Sequence, residues 1–106
     1  MTGLFTRLFG KTKTDFAGLI RNGSIIIDVR SALEYKSGHI RGSQNIPLDE
    51  LRTKIEDLKK LHKPLITVCR SGSRSRMAKS ILTANGLVAY NGGSWYLFKR
   101  TYKLKS

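Results

Sequence analysis

Apolar residues along this chain follow two different periods, and the alternation between them outlines the fold. The runs SIIIDV (24–29) and PLITVC (64–69) are unbroken and rich in β-branched side chains, the pattern of strands buried on both faces. LVAYN (87–91) reads as a third such strand, and SQNI (43–46), between Gly42 and Pro47, as a brief one. Between these runs the spacing changes to three and four residues. Leu48, Leu51, Ile55 and Leu58 define an amphipathic helix that ends near Lys59 and Lys60. A second helix opens at Ser75, carries Met77, Ala78, Ile81 and Leu82 on its apolar side, and stops at Asn85-Gly86. Shorter helices are marked by their ends. Thr14 is the expected N-cap of DFAGLIRN, with Gly23 as its stop, and Ser31 with Glu34 forms a capping box for ALEYKS. Gly92-Gly93 precedes a final aromatic helix, SWYLFKRTYK, and Tyr90, Trp95, Tyr96 and Phe98 are assigned to the core.

Strands that alternate with helices imply right-handed crossovers and a mainly parallel sheet covered on both faces, an α/β/α arrangement. In such sheets the working site lies beyond the carboxyl ends of the strands. Cys69 falls there, and so does the Asp28-Val29-Arg30 stretch. With 106 residues there is material for one domain and one modest core. We expect a lead-in over residues 1–13, the domain over 14–100 and a basic tail over 101–106.

Charge changes this picture more than composition does. Twenty Lys and Arg stand against seven Asp and Glu, a formal +13. A field of that sign gathers anions and raises their encounter rate, which suits small anionic substrates or an acidic partner protein. The basic residues are spread along the chain, and no base-stacking aromatic signature accompanies them, so they read as a solvated surface rather than a nucleic-acid interface. The single cysteine excludes an internal disulfide and fits a reducing, cytoplasmic compartment. No apolar run approaches the roughly 18 residues of a membrane span. The N-terminal MTGLFTRLFGKTKTDF is interrupted by Arg7 and has no small-residue cleavage site; Leu4, Phe5, Leu8 and Phe9 are expected to pack on the domain as a short helix, ahead of the competing reading of a membrane-surface anchor.

The chemistry concentrates in VCRSGSRS, Val68 to Ser75. A lone cysteine ending a buried strand is ordinarily a small hydrophobe. Its surroundings argue otherwise. A loop turning from a strand into a helix directs backbone N–H groups inward, and the helix N-terminus adds partial positive charge. Gly72 permits the tight curvature, while Arg70, Arg74 and Arg76 add full charges. A thiol at the base of this nest favours its thiolate, which is the nucleophilic form. We therefore read Cys69 as the catalytic group and Arg70, Ser71, Gly72, Ser73, Arg74 and Ser75 as the anion-binding loop. Asp28, Arg30 and Glu34 are supporting residues: the first two hold the fold or orient the loop through ion pairs, and Glu34 caps Ser31. His39, His62 and Cys69 include no close pair, so no metal site is expected.

At these residues the chain resembles a known family. IIDVRSALEYKSGHIRGSQNIPL, VCRSGSRSRMA and YNGGSWYLF, in that order and spanning about Asp15 to Phe98, are similar to single-domain rhodaneses. The resemblance implies a five-stranded parallel sheet with helices on both sides. It also implies sulfane-sulfur transfer from thiosulfate or a persulfide to cyanide or a thiol through a Cys69 persulfide, with no metal or organic cofactor. In that family the Gly-His-Ile segment around His39 is structural. The lack of a second cysteine means that an external thiol or an acceptor protein must take the sulfur. Loop length bears on the alternatives. Related phosphatases and arsenate reductases use Cys-x5-Arg around a tetrahedral oxyanion, whereas Cys69 to Arg74 is Cys-x4-Arg, a tighter nest suited to one sulfur atom. A non-catalytic rhodanese-fold binding or sulfur-carrier module is the other alternative.

Overall fold

The computed structural model describes residues 13–106; the helix expected around Leu4 to Phe9 lies outside them. Helix α1 (Phe16–Arg21) leads into β1 (Ile25–Asp28), α2 (Ala32–Ser37) and β2 (Gln44–Asn45). A 3-10 helix (Leu48–Lys54) runs directly into α3 (Ile55–Lys59), and then follow β3 (Leu65–Cys69), α4 (Ser73–Ala84), β4 (Ala89–Ser94) and α5 (Trp95–Thr101). The strands form one parallel sheet in the order β2-β1-β3-β4.

The α/β architecture is as expected, but the sheet has four strands among the described residues rather than five. The chain offers four strand-like apolar runs, and only the family resemblance implied a fifth.

Each face of the sheet carries its own core, because successive side chains of a strand point to opposite sides. On one face Ile27, Leu65 and Cys69 meet Leu51, Ile55, Leu58, Ala78 and Leu82 from the 3-10 helix, α3 and α4. On the other, Ile66 and Val68 meet Phe98 of α5 and Phe16, Leu19 and Ile20 of α1. Every residue of β3 is buried, as expected for the central strand of a sheet covered on both sides.

Several boundaries differ from the sequence reading for local reasons. Asp15, not Thr14, caps α1, its carboxylate accepting the Gly18 N–H at 2.9 Å. Leu48 and Leu51 sit in 3-10 rather than α geometry; a spacing of three stacks them on one face at three residues per turn. Helix α4 begins at Ser73, two residues before Ser75, because Gly72 supplies the left-handed N-cap (φ 102°). Met77 and Tyr96 lie on the solvent side of their helices, 56 % and 48 % exposed, while Ala78, Leu82 and Phe98 turn inward. The basic tail does not trail free: the Arg41 N–H donates to the Lys105 carbonyl at 2.8 Å, and Leu104 packs on the α5 face.

Strand β4 is the irregular one. Thr67 pairs with Asn91 and Val68 with Gly93, so Gly92 is an extra residue in the ladder, a β-bulge. A Cβ on Gly92 would stand 3.0 Å from both the Ile66 and Val68 side chains, so the bulge needs glycine for close approach. The Gly92-Gly93 pair, expected to follow the strand, is thus inside it. Asn91, just before the bulge, pairs regularly with Thr67 and alternates with Ala89 onto the α4 face.

Candidate active site

Cys69 ends β3 with its side chain on the α4 face, 1 % exposed. The chain then turns through Arg70 and Ser71 to Gly72 and enters α4. The Gly72 N–H donates to Cys69 Sγ at 3.0 Å. The first helical bond within the turn runs from the Arg76 N–H to the Gly72 carbonyl, which leaves the amides of residues 73–75 without partners inside their own helix. Ser75 comes round one turn later, fully buried, with its Oγ 3.4 Å from the sulfur. Burial by itself pushes the Cys69 thiol up. The Ser75 hydroxyl and the amides of Ser75, Gly72 and Ser71 outweigh that and hold it below its ordinary value.

The rest of the predicted site is only partly gathered here. Arg70 and Arg76 are exposed on either side of the turn. Arg74 is not free to face a substrate: its guanidinium makes a two-pronged contact with the Glu34 carboxylate at 2.6 and 2.9 Å. Glu34 does double duty, since its Oε1 also accepts the Ser31 N–H in the capping box. Asp28 and Arg30 form a buried, forked ion pair (2.7 to 3.1 Å). The remaining Arg30 side-chain bonds go to the carbonyls of Glu34 and Gly38, and its guanidinium lies 4.5 Å over the Trp95 ring. His39 stacks on Tyr35 and its Nδ1 donates to the Tyr35 carbonyl at 2.7 Å. Among the described residues no three His, Cys, Asp or Glu side chains converge as metal ligands, and no helix is long and apolar enough to cross a membrane.

Two residues in this network are not evident in the sequence. Thr67, fully buried in β3, donates to the Ser75 carbonyl at 2.8 Å and ties the strand to the first turn of α4. Asn91 sits behind Ser75, with Oδ1 2.7 Å from Ser75 Oγ. Alternation with Ala89 gives Asn91 its face of the strand, but its partner there, Ser75, is 16 residues away along the chain.

Comparison with known proteins identifies the family and the fold. The rhodanese-like domain profile matches residues 12–100. The chain belongs to the rhodanese-like family. Among its relatives is the thiosulfate sulfurtransferase GlpE of Pseudomonas fluorescens, 30 % identical over 79 % of this chain and 78 % of that one. The uncharacterized protein YqhL of Bacillus subtilis is 35 % identical over 71 % of this chain, which spans only 58 % of its length. Among solved structures, a rhodanese-related protein from Thermoplasma volcanium superposes with a TM-score of 0.70 at 31 % identity, covering 86 % of this chain and 91 % of that one.

Within this rhodanese-like domain the Glu34–Arg74 contact has a measurable signature. The Arg74 hydrogen bonds, then the Ser31 amide, hold the Glu34 carboxyl down from 4.5 to about 2. A folded-state value below the unfolded one stabilises the protein above the unfolded value, and the gain is lost as pH falls through the folded one. The two side chains are 30 % and 36 % exposed, so solvent screening limits the pair to about 1 kcal/mol. Glu34→Gln is therefore expected to lower the melting temperature by a few degrees at neutral pH. Paired thermal melts should show that deficit shrinking between about pH 4.5 and pH 2.

Beside the cradle lies a cleft of about 780 Å³. Val29, Leu48, Met77 and Ile81 form its apolar wall, and Arg52, Arg74 and Arg76 line it with positive charge.

Proposed function

We propose that the protein is a sulfurtransferase that carries a sulfane sulfur on Cys69. The observation that carries this reading is the cradle: a buried sulfur, reached by the Gly72 N–H at 3.0 Å and held below its ordinary thiol pKa. A merely structural cysteine gains nothing from donors aimed at its sulfur.

In the first half-reaction the Cys69 thiolate attacks the outer sulfur of thiosulfate. A Cys69–sulfur bond forms, the sulfur–sulfur bond of thiosulfate breaks, and its electron pair leaves with sulfite. In the second, cyanide or an external thiolate attacks the terminal sulfur and Cys69 departs as thiolate. Each step exchanges one sulfur–sulfur bond for a bond from sulfur to another nucleophile, so no net oxidant is needed. This is covalent catalysis of the ping-pong kind. The loop amides of residues 70–75 stabilise the charge on sulfur at each stage. An enzymatic role goes beyond family membership, and so does the choice of thiosulfate. The GlpE relative, thiosulfate sulfurtransferase by name, supports both. The four-residue interval between Cys69 and Arg74, with Arg74 drawn aside by Glu34, weighs against a phosphatase, whose arginine must clasp its oxyanion.

Release of thiocyanate from thiosulfate and cyanide tests the proposal. Turnover should show parallel-line, ping-pong kinetics. Absence of thiocyanate with thiosulfate and with persulfide donors would contradict it, and Cys69-dependent hydrolysis of an aryl phosphate would point to the phosphatase instead.

A further inference from the structure

Ser75 has one hydroxyl proton and three candidate acceptors. Its Oγ lies 2.7 Å from Asn91 Oδ1, 3.1 Å from the Gly72 carbonyl and 3.4 Å from Cys69 Sγ. The orientation of the Asn91 amide is fixed independently. The Gly93 N–H points at its Oδ1 from 2.9 Å, and an N–H cannot donate to an amide nitrogen. Two oxygens 2.7 Å apart are held together only if a proton lies between them, and Asn91 Oδ1 has none to give. The Ser75 proton therefore sits on Asn91. The lone pairs of Ser75 Oγ are then what Cys69 meets, a suitable partner for a neutral S–H and a poor one for a thiolate. Among the contacts of the sulfur, the Gly72 N–H is unconditional and the Ser75 hydroxyl is conditional.

We propose that Asn91 is a positioning residue which competes with Cys69 for the Ser75 proton, making Ser75 a two-position switch within the sulfur cradle. While Sγ itself carries no charge, as a thiol or as the inner sulfur of a persulfide whose charge lies on the outer sulfur, Ser75 donates to Asn91. When the sulfur is a thiolate, the hydroxyl rotates onto Sγ and leaves two oxygen acceptors facing each other. That opposition destabilises the resting thiolate. It is relieved once Cys69 becomes a persulfide, so the arrangement favours loading of the sulfur. Thr67 holds the Ser75 backbone during the rotation through its bond to the Ser75 carbonyl. The charged groups nearby are Arg74, clasped by Glu34, and beyond them Asp28 with Arg30; the variants below touch none of these.

The inference rests on the sulfurtransferase reading only in taking the thiolate as the reactive form. Its test needs no sulfur donor, so it can fail or succeed separately from that reading. Cys69 is the only cysteine, and its thiolate absorbance can be followed against pH with Cys69→Ser subtracted to remove the tyrosines. Asn91→Ala is expected to lower the midpoint by about one unit, a roughly tenfold larger thiolate fraction below it. The same substitution in a Ser75→Ala background should leave the midpoint where Ser75→Ala alone puts it. Asn91→Asp keeps an acceptor for Gly93 and competes harder, so it should raise the midpoint, and by more with Ser75 present than without. It serves if the alanine variant fails to fold. An unchanged or raised midpoint in folded Asn91→Ala would overturn the proposal. So would a shift of equal size, for either variant, with and without Ser75.

Discussion

Cys69→Ser should abolish sulfur transfer while leaving the fold in place. The hydroxyl is smaller than the thiol but fits the same contacts, with the Gly72 N–H and Ser75 Oγ available to it. What it cannot do is form the sulfur–sulfur bond on which both half-reactions depend. Removing a nucleophile that acts as part of a unit typically costs many orders of magnitude, so we expect at least a ~10³-fold fall in thiocyanate production. Cys69 also sits in the packed layer with Leu65, Ala78 and Leu82. The exchange should cost about 1 kcal/mol of stability, within the usual range for a single core change. Activity and a thermal melt on the same preparation separate the two effects. Activity that survives would remove Cys69 from the mechanism, and activity lost together with the fold would leave its chemical role unsupported.

Asp28→Asn should produce the largest loss of stability without touching the sulfur cradle. Asp28 is fully buried and Arg30 is 4 % exposed, and the pair is joined through both carboxylate oxygens. Removing the charge of one partner leaves the other buried and uncompensated, which costs about 3–5 kcal/mol. That is several times the effect expected for Glu34→Gln, whose pair is a third exposed. The contrast follows from burial alone, since both pairs have forked geometry of similar length. Urea titrations of the two variants check it. A loss below about 1 kcal/mol for Asp28→Asn would mean that water reaches Arg30 and that the pair does not hold the α2 loop onto the sheet.

The sequence revealed what depends on neighbours along the chain. β-branched runs marked β1 and β3, whose residues face core on both sides. Ser31 and Glu34, three apart, announced their capping box, and the glycine of VCRSGSRS announced the left-handed turn at Gly72. Contacts between distant segments were not legible. Arg74 and Glu34 are 40 residues apart, so the loop arginine looked available for substrate when it is in fact clasped by the α2 carboxylate. Asn91 was hidden for the same reason: alternation with Ala89 gives its face, but its partner Ser75 lies 16 residues away on another element. Met77 and Tyr96 were misassigned because several apolar residues crowd each helix, and periodicity alone does not say which stripe meets the sheet.

The central claim is that Cys69 holds a transferable sulfur, and the most direct measurement is the intact mass of the protein after incubation with thiosulfate. The mass should rise by one sulfur atom, the added atom should map to the peptide containing Cys69, and cyanide should remove it with release of thiocyanate. A mass that stays unchanged with thiosulfate and with persulfide donors, or an added sulfur that persists in Cys69→Ser, would contradict the account.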